Sequence, residues 1–460
     1  MNRAPIALML ALLAAPAVTT AQIKAPGEEA SRNVKLMSHI PLGEMFTTGD
    51  IEIEQELSRP YVYVARTLTH AGFDIVSIKE PARAQRIYSW HIRDEALHAG
   101  IGGSDVHYFK LKGRYYAVPS FQFLQAGPDA DYAAGIFDVT GLPDTTGIKE
   151  VAQIRTKDGA FGFGGFHTVY PYKHSDGRTL LFATTAFTAQ ALVYDLEKIL
   201  GGTPPDQAVV GRIPSGGPPE KLGGYHDFYV AYDPATKQDK FYGAGLNAGY
   251  FVYDVSHLEA PKLLTSITGV AGQALGHAFQ VSPDGRYGVT QMEYQYAPVR
   301  IFDLKPGLDG TVKTISRPIG AWAGNWKLAS HNHEMRWPYV FIAAFEDGLQ
   351  VINMMDPTNP YTVGYYDTHS GSLLHGMDPV ASKWKPAEGD EIFNGLWGVD
   401  VRNADGLIVV SDFRTGFWSF KMDGFDGWNG HQWGMPNISS AQDWDNGPDG
   451  APKPQKVSLR

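Results

Sequence analysis

The sequence predicts an all-β fold, a seven-bladed β-propeller closed by its own N-terminal strand, and three observations carry that expectation. Glycine (51 residues), proline (30) and aromatics (12%) are plentiful while runs with helical periodicity are scarce. A two-run strand phrase recurs seven times along the chain. Most copies have a further strand-like piece before and after them, which makes units of four strands and roughly fifty to sixty residues, the mark of a propeller blade.

In order, the paired runs are YVYVA with GFDIVSI, YYAVPS with GIFDVTG, LLFATT with ALVYDLE, KFYGAG with YFVYDVS, YGVTQ with VRIFDLK, YVFIAA with LQVINMMDPTNP, and LIVVSD with GFWSFKMD. Pieces such as AQRIYSWHI, IKEVAQI, PKLLTSITG and YTVGYYDT follow them as outer strands. The seventh unit lacks an outer strand of its own, whereas the orphan segment NVKLMSHIPLG near the N-terminus has the pattern of PKLLTSITG. It is expected to complete the last blade, closing the ring and removing the edge a linear array would expose. The segment 345–368, FEDGLQVINMMDPTNPYTVGYYDT, resembles the LVIVD repeat of bacterial propellers, whose third strand runs into an Asp-Pro-x-x-Pro turn, and GLIVVSDFRTGFWSFKM (406–422) is similar to the terminal blade of that family. The resemblance implies the fold and leaves the chemistry open, since one fold hosts unrelated functions.

Met-Asn-Arg, the apolar run APIALMLALLAAPAV and the small residues of TTAQ read as a secretory signal peptide cleaved after Ala21. The expected organisation is a signal peptide over 1–21, the propeller over 22–424 and a loop-like tail over 425–460 that drapes across the disc. The expected location is the periplasm or the exterior. Nothing downstream approaches the ~20 uninterrupted apolar residues of a membrane helix. With no cysteine, disulfides, thiolate metal sites and cysteine catalysis are excluded. The net charge of −10 leaves no basic footprint for nucleic acid.

The chemistry is expected from histidine. His107, His167, His226, His277, and the pair His331 and His333 begin the first strand of five consecutive units, and Trp397 and the segment from Glu52 to Gln55 take that place in the other two. In a propeller the first strand lines the central channel, so these six imidazoles are the predicted ligands of an axial metal. His331 and His333, two apart, are expected to point to the same side. Neutral imidazole without cysteine suits copper, iron, zinc or manganese rather than calcium. The glycine pairs of GGFH and GGYH are expected to let the connectors approach the axis, with Phe166, Tyr225 and Trp397 walling the mouth and Asp227 and Glu334 supporting another blade's ligands.

The favoured function is a metal-dependent oxidoreductase acting on a small molecule or glycan. The alternatives are a metal-assisted polysaccharide lyase, or a non-catalytic scaffold for a protein or glycan partner. The insertion 369–395, with His369, His375 and Trp384, reads equally as a functional lid and as a solvated insertion. DGAFGFGG lacks the lysine and the following helix of a phosphate loop, and no serine-nucleophile motif stands out.

Overall fold

A computed structural model of the chain describes residues 29–43, 48–67, 70–93, 98, 100–123, 129–156, 164–185, 188, 190–215, 224–294, 296–325, 328–369, 395–430 and 442–448. Among them are seven sheets of four strands, the fourth extended by the short parallel strand Thr314–Ile315. The chain is a seven-bladed β-propeller. Blades 1 to 7 begin with the inner strands Thr48–Ile53, Gly100–Leu111, Phe166–Lys173, Asp227–Asp233, Gly276–Val281, His333–Arg336 and Leu396–Val401.

Position within a blade explains the two kinds of strand pattern. Second strands lie between neighbouring sheets and bury both faces, so Thr179–Thr185 (TLLFATT) and Ile408–Asp412 (IVVSD) are buried throughout and read as continuous apolar runs. Outer strands touch solvent and alternate, as in Lys149–Arg155, where exposed Lys149, Val151 and Gln153 bracket less exposed neighbours. The ring closes as expected: Val34–Ile40 pairs antiparallel with Gly416–Met422 as the fourth strand of blade 7, with Val34 opposite Met422 and Leu36 opposite Phe420. Phe420 is fully buried there, against Tyr366 of blade 6.

The inner strands of blades 1, 2, 3, 5 and 7 carry a β-bulge at their axial start, and in blades 4 and 6 the equivalent step falls just before the strand. In blade 3 Phe166 pairs with Thr185 and Val169 with Ala183, so His167 and Thr168 together face Thr184. The same two-against-one count places Gly49 and Asp50 opposite Ala65, Ser104 and Asp105 opposite Ser120, and His277 and Ala278 opposite Gln291. Blade 7 shifts register around Trp397. In blade 4 the His226 N–H reaches the carbonyl of Ala244, which is also the partner of Asp227. In blade 6 Ala343 accepts from His331 and donates to Asn332. A bulge turns its first residue out of the regular alternation, here toward the channel.

The opposite mouth of the channel is covered by the C-terminal segment. Gln442 Nε2 donates to Pro171 O at 2.6 Å, Lys110 pairs with Asp445 at 2.6 Å, and Trp444 packs edge-on against Tyr108. On the other side Trp428 Nε1 donates to Trp337 O at 3.0 Å. All four anchor points lie at or beside inner strands of blades 2, 3 and 6.

The closing strand makes a clear contrast available. Phe420→Ala should cost about 3–5 kcal/mol in urea denaturation, the range for emptying a buried aromatic site. Leu36→Ala, directly across the ladder but 43% exposed, should stay within about 0.5 kcal/mol of the wild type.

Candidate metal centre

The bulges decide which histidines meet. His167, His226, His277 and His331 occupy the first bulge position of blades 3, 4, 5 and 6, and their rings follow one another around the axis with centroids 4.2, 4.2 and 4.3 Å apart. Trp397 continues the series in blade 7, 4.0 Å from His331, as the sequence predicts. Blades 2 and 1 supply Ser104 and Gly49, in place of His107 and the segment from Glu52.

His107 and His333 are therefore corrections. The inner strand of blade 2 starts at Gly100, seven residues before His107, so this histidine lies three residues past the bulge and one layer deeper. It belongs to a second ring made by Glu52, His107, Tyr170, Tyr229, Gln280, Glu334 and Asp400, each three residues beyond its own bulge and all lining the same channel cavity of about 80 Å³. His333 follows the bulge of blade 6, which breaks the alternation that would align it with His331. It takes the place held by Ile51, Val106, Val169, Phe228, Phe279 and Val399 in the other blades, with its Nδ1 2.8 Å from Gln291 Oε1.

One ligand candidate escaped the sequence reading. Glu293, just past the second strand of blade 5, puts its carboxylate against three imidazoles: Oε2 is 3.8 Å from His226 Nε2 and 3.7 Å from His277 Nε2, and Oε1 is 3.7 Å from His331 Nε2. Ligand atoms of His226, His277 and Glu293 all lie within 4.8 Å of one another. Tetrahedral coordination at bond lengths of about 2.0–2.1 Å needs donor separations of about 3.3 Å, which the carboxylate–imidazole distances reach by closing about 0.4 Å, while a pair near the 4.8 Å limit would close by up to about 1.5 Å. The sequence signal was an acid in the hairpin of a histidine-bearing blade, which strand spacing alone does not place on the axis.

The protonation states fit such a site. Burial, reinforced by neighbouring imidazoles, holds His226, His277 and His331 well below the ordinary imidazole value, and burial takes His167 down to about 4. All four are neutral donors at neutral pH. His331 Nδ1 donates to Trp397 O at 2.8 Å, and His167 Nδ1 lies 2.6 Å from Gln122 Oε1, which leaves Nε2 of each ring as the lone-pair nitrogen. His277 Nε2 is buried with no hydrogen-bond partner among the described residues. Burial pushes Glu293 up to about 8, and a cation beside it would reverse that by stabilising the carboxylate.

Beneath the imidazoles the channel is acidic. Asp50, Asp105 and Asp227 occupy the second bulge position of their blades and line the cavity with Glu52, Glu334 and Asp400. Burial raises Asp50 well above the carboxylate range, Asp227 to about 7 and Glu52 to about 8. Burial works against charge on His107 too, but the carboxylates of Glu52 and Asp105 on either side of its ring win and hold it well above the usual imidazole value. Deeper still, the fully buried Arg336 donates to Glu334 at 2.7 Å and approaches Asp400 at 3.4 Å. Asp227 accepts from the Phe228 N–H, and Glu334 from Gln280 Nε2 and Arg336.

Two further expectations change. A Cβ on Gly165, at φ +83°, would fall 2.1 Å from Phe121 O, so this glycine allows close approach to the backbone of blade 2 rather than to the axis. Phe166 and Tyr225 are core residues, packed on Tyr194 and Phe241, and only Trp397 walls the ring, stacked on Phe413. His375 and Trp384 lie outside the described residues.

No family model matches the chain, and no curated protein does. Among solved structures it is similar to the WD40 β-propeller domain of Doa1, at 11% identity and TM-score 0.51 over 85% of this chain and 98% of that one. It is also similar to Raptor of Chaetomium thermophilum, at 11% identity and TM-score 0.53 over 84% of this chain and 29% of that one. At that identity the likeness speaks for the propeller fold alone.

The arrangement beneath the ring makes a stability prediction. Arg336→Met leaves Glu334 and Asp400 buried without their cation and should cost about 3–5 kcal/mol in urea denaturation. Adding Glu334→Gln should recover part of that loss, whereas strict additivity of the two changes would show that the ion pair is not what Arg336 supplies.

Proposed function

We propose that this chain is an exported metalloprotein, a β-propeller whose axial site binds a transition metal through His226, His277, His331 and Glu293, with His167 beside them, and that it acts as a metal-dependent oxidoreductase. The observation that carries the reading is the convergence of three neutral imidazole nitrogens on one carboxylate at 3.7–3.8 Å. Three nitrogens and one oxygen suit copper, iron, zinc or manganese. A bound metal would supply Lewis acidity and, for a redox-active ion, electron transfer. The chain's own groups would hold the site dry on the Trp397 side and hold a proton at His107, in the same cavity.

The acidic chamber also bears on the substrate. Asp50, Asp105, Asp227 and Glu52 line it, and His107 is the one cation among the groups at that level. Burial favours the protonated, neutral form of Asp50, Asp227 and Glu52, so the chamber offers hydrogen-bond donors suited to a neutral small molecule. A scaffold without chemistry has less need of three neutral histidines against one buried carboxylate.

Elemental analysis of the protein purified from its native host tests the reading. About one equivalent of a transition metal per chain is expected, lost in His226→Ala, His277→Ala and Glu293→Gln, with an effect larger than the 10–100-fold typical of residues that only orient ligands. His333→Gln and His107→Gln should retain the metal. A metal-free wild type, or retention of metal by His277→Ala, would overturn the proposal and leave the scaffold reading in its place.

A further inference from the structure

A second cavity, of about 240 Å³, opens between blades 5 and 6 on the face that carries the imidazole ring. One wall is the hairpin that begins at Glu293, through Tyr296 and Pro298, and the other is the connector that leads into His331, through Leu328 and Ala329. Trp322 and Asp347 complete it. Ala329 also packs with Phe345, Trp397 and Phe413, so the cavity and the imidazole ring are separated by a single layer of side chains.

The lining is mostly apolar, and its charged group is Asp347. That carboxylate accepts the Asn325 N–H at 2.8 Å through Oδ2, and no cationic side chain pairs with it among the described residues. The connector is shaped to the carboxylate. A Cβ on Gly324 would lie 2.1 Å from Asp347 Oδ2, so any larger residue there would displace it from the cavity wall. Burial raises Asp347 above the ordinary carboxylate value. An apolar cleft with one under-compensated carboxylate is complementary to a ligand with an apolar body and a cationic head, because the ion pair forms where water is scarce.

We infer that the cleft between blades 5 and 6 is a binding site for a small organic ammonium compound, its apolar body against Trp322 and Leu328 and its nitrogen at Asp347. The site stands without the metal reading, since none of its lining groups is a candidate ligand. Its position beside the loops that bear Glu293 and His331 makes it a natural holding place for the organic part of a substrate.

Calorimetric titration of metal-stripped protein with benzylamine, and separately with its neutral counterpart benzyl alcohol, tests the inference. Benzylamine should bind at least about tenfold more tightly, the equivalent of one charge-assisted contact. Asp347→Asn, checked for an unchanged melting temperature, should bring benzylamine down to the level of benzyl alcohol, and Ala329→Leu should weaken both by narrowing the cleft. Metal-loaded protein should show the same preference. Equal binding of the two probes to the wild type would overturn the proposal. So would a preference that appears only with metal, because the cation's partner would then be elsewhere.

Discussion

The bulge or equivalent step at the axial end of each inner strand is the constraint on which the rest of this propeller depends. Seven strands entering a narrow channel cannot all present a regular two-residue alternation to the axis, and the extra residue in each provides both a turn and an inward direction. It also exposes a carbonyl, and the preceding blade uses it. Ser104 and Ser120 donate to His167 O, Thr168 and Thr184 to His226 O, Ser411 to Gly49 O, and the ring of His331 to Trp397 O. Neighbouring blades are thus tied by the same residues that form the channel lining. The imidazole spacing near 4.2 Å follows from the spacing of the blades themselves.

Charge along the channel is arranged in layers. Neutral imidazoles occupy the mouth, carboxylates the chamber beneath, and Arg336 the level below, where it balances Glu334 and Asp400. The buried acids keep protons because burial penalises their charged form, and His107 sits where Glu52 and Asp105 can share one. Trp444 and Trp428 pack at the far end, against Tyr108 and the Trp337 carbonyl. The imidazole face carries the cleft at Asp347. The loops of blades 5 and 6 therefore gather the polar chemistry of the molecule on one side of the disc, while their strands do ordinary packing.

Much of the architecture is written in local pattern. A fully buried second strand must be apolar on both faces, so TLLFATT and IVVSD announce themselves, and the amphipathic Val34–Ile40 could pair only with an exposed edge, which the seventh blade offered. The histidines of blades 3 to 5 were legible for a related reason: each stands just before a recognisable strand. The same rule misplaced His107, because the strand of blade 2 extends seven residues ahead of it, and His333, because the bulge of blade 6 falls between it and His331. Glu293 was hidden because a hairpin acid joins the axis only through the curvature of the whole ring.

The sequence by itself determined the fold class, the four-strand unit, the seven repeats, the closure by the N-terminal strand and a concentration of histidine at the start of inner strands. These are properties of short segments whose burial depends on periodicity within a few residues. Tertiary structure alone decided which imidazoles adjoin one another, that a glutamate from a hairpin lies against them, that a second ring of mixed polar residues lies below, and that a carboxylate faces an apolar cleft between two blades. Those relations depend on register and on how neighbouring blades lean together, and a one-residue shift at a bulge is enough to turn a ligand into a core residue.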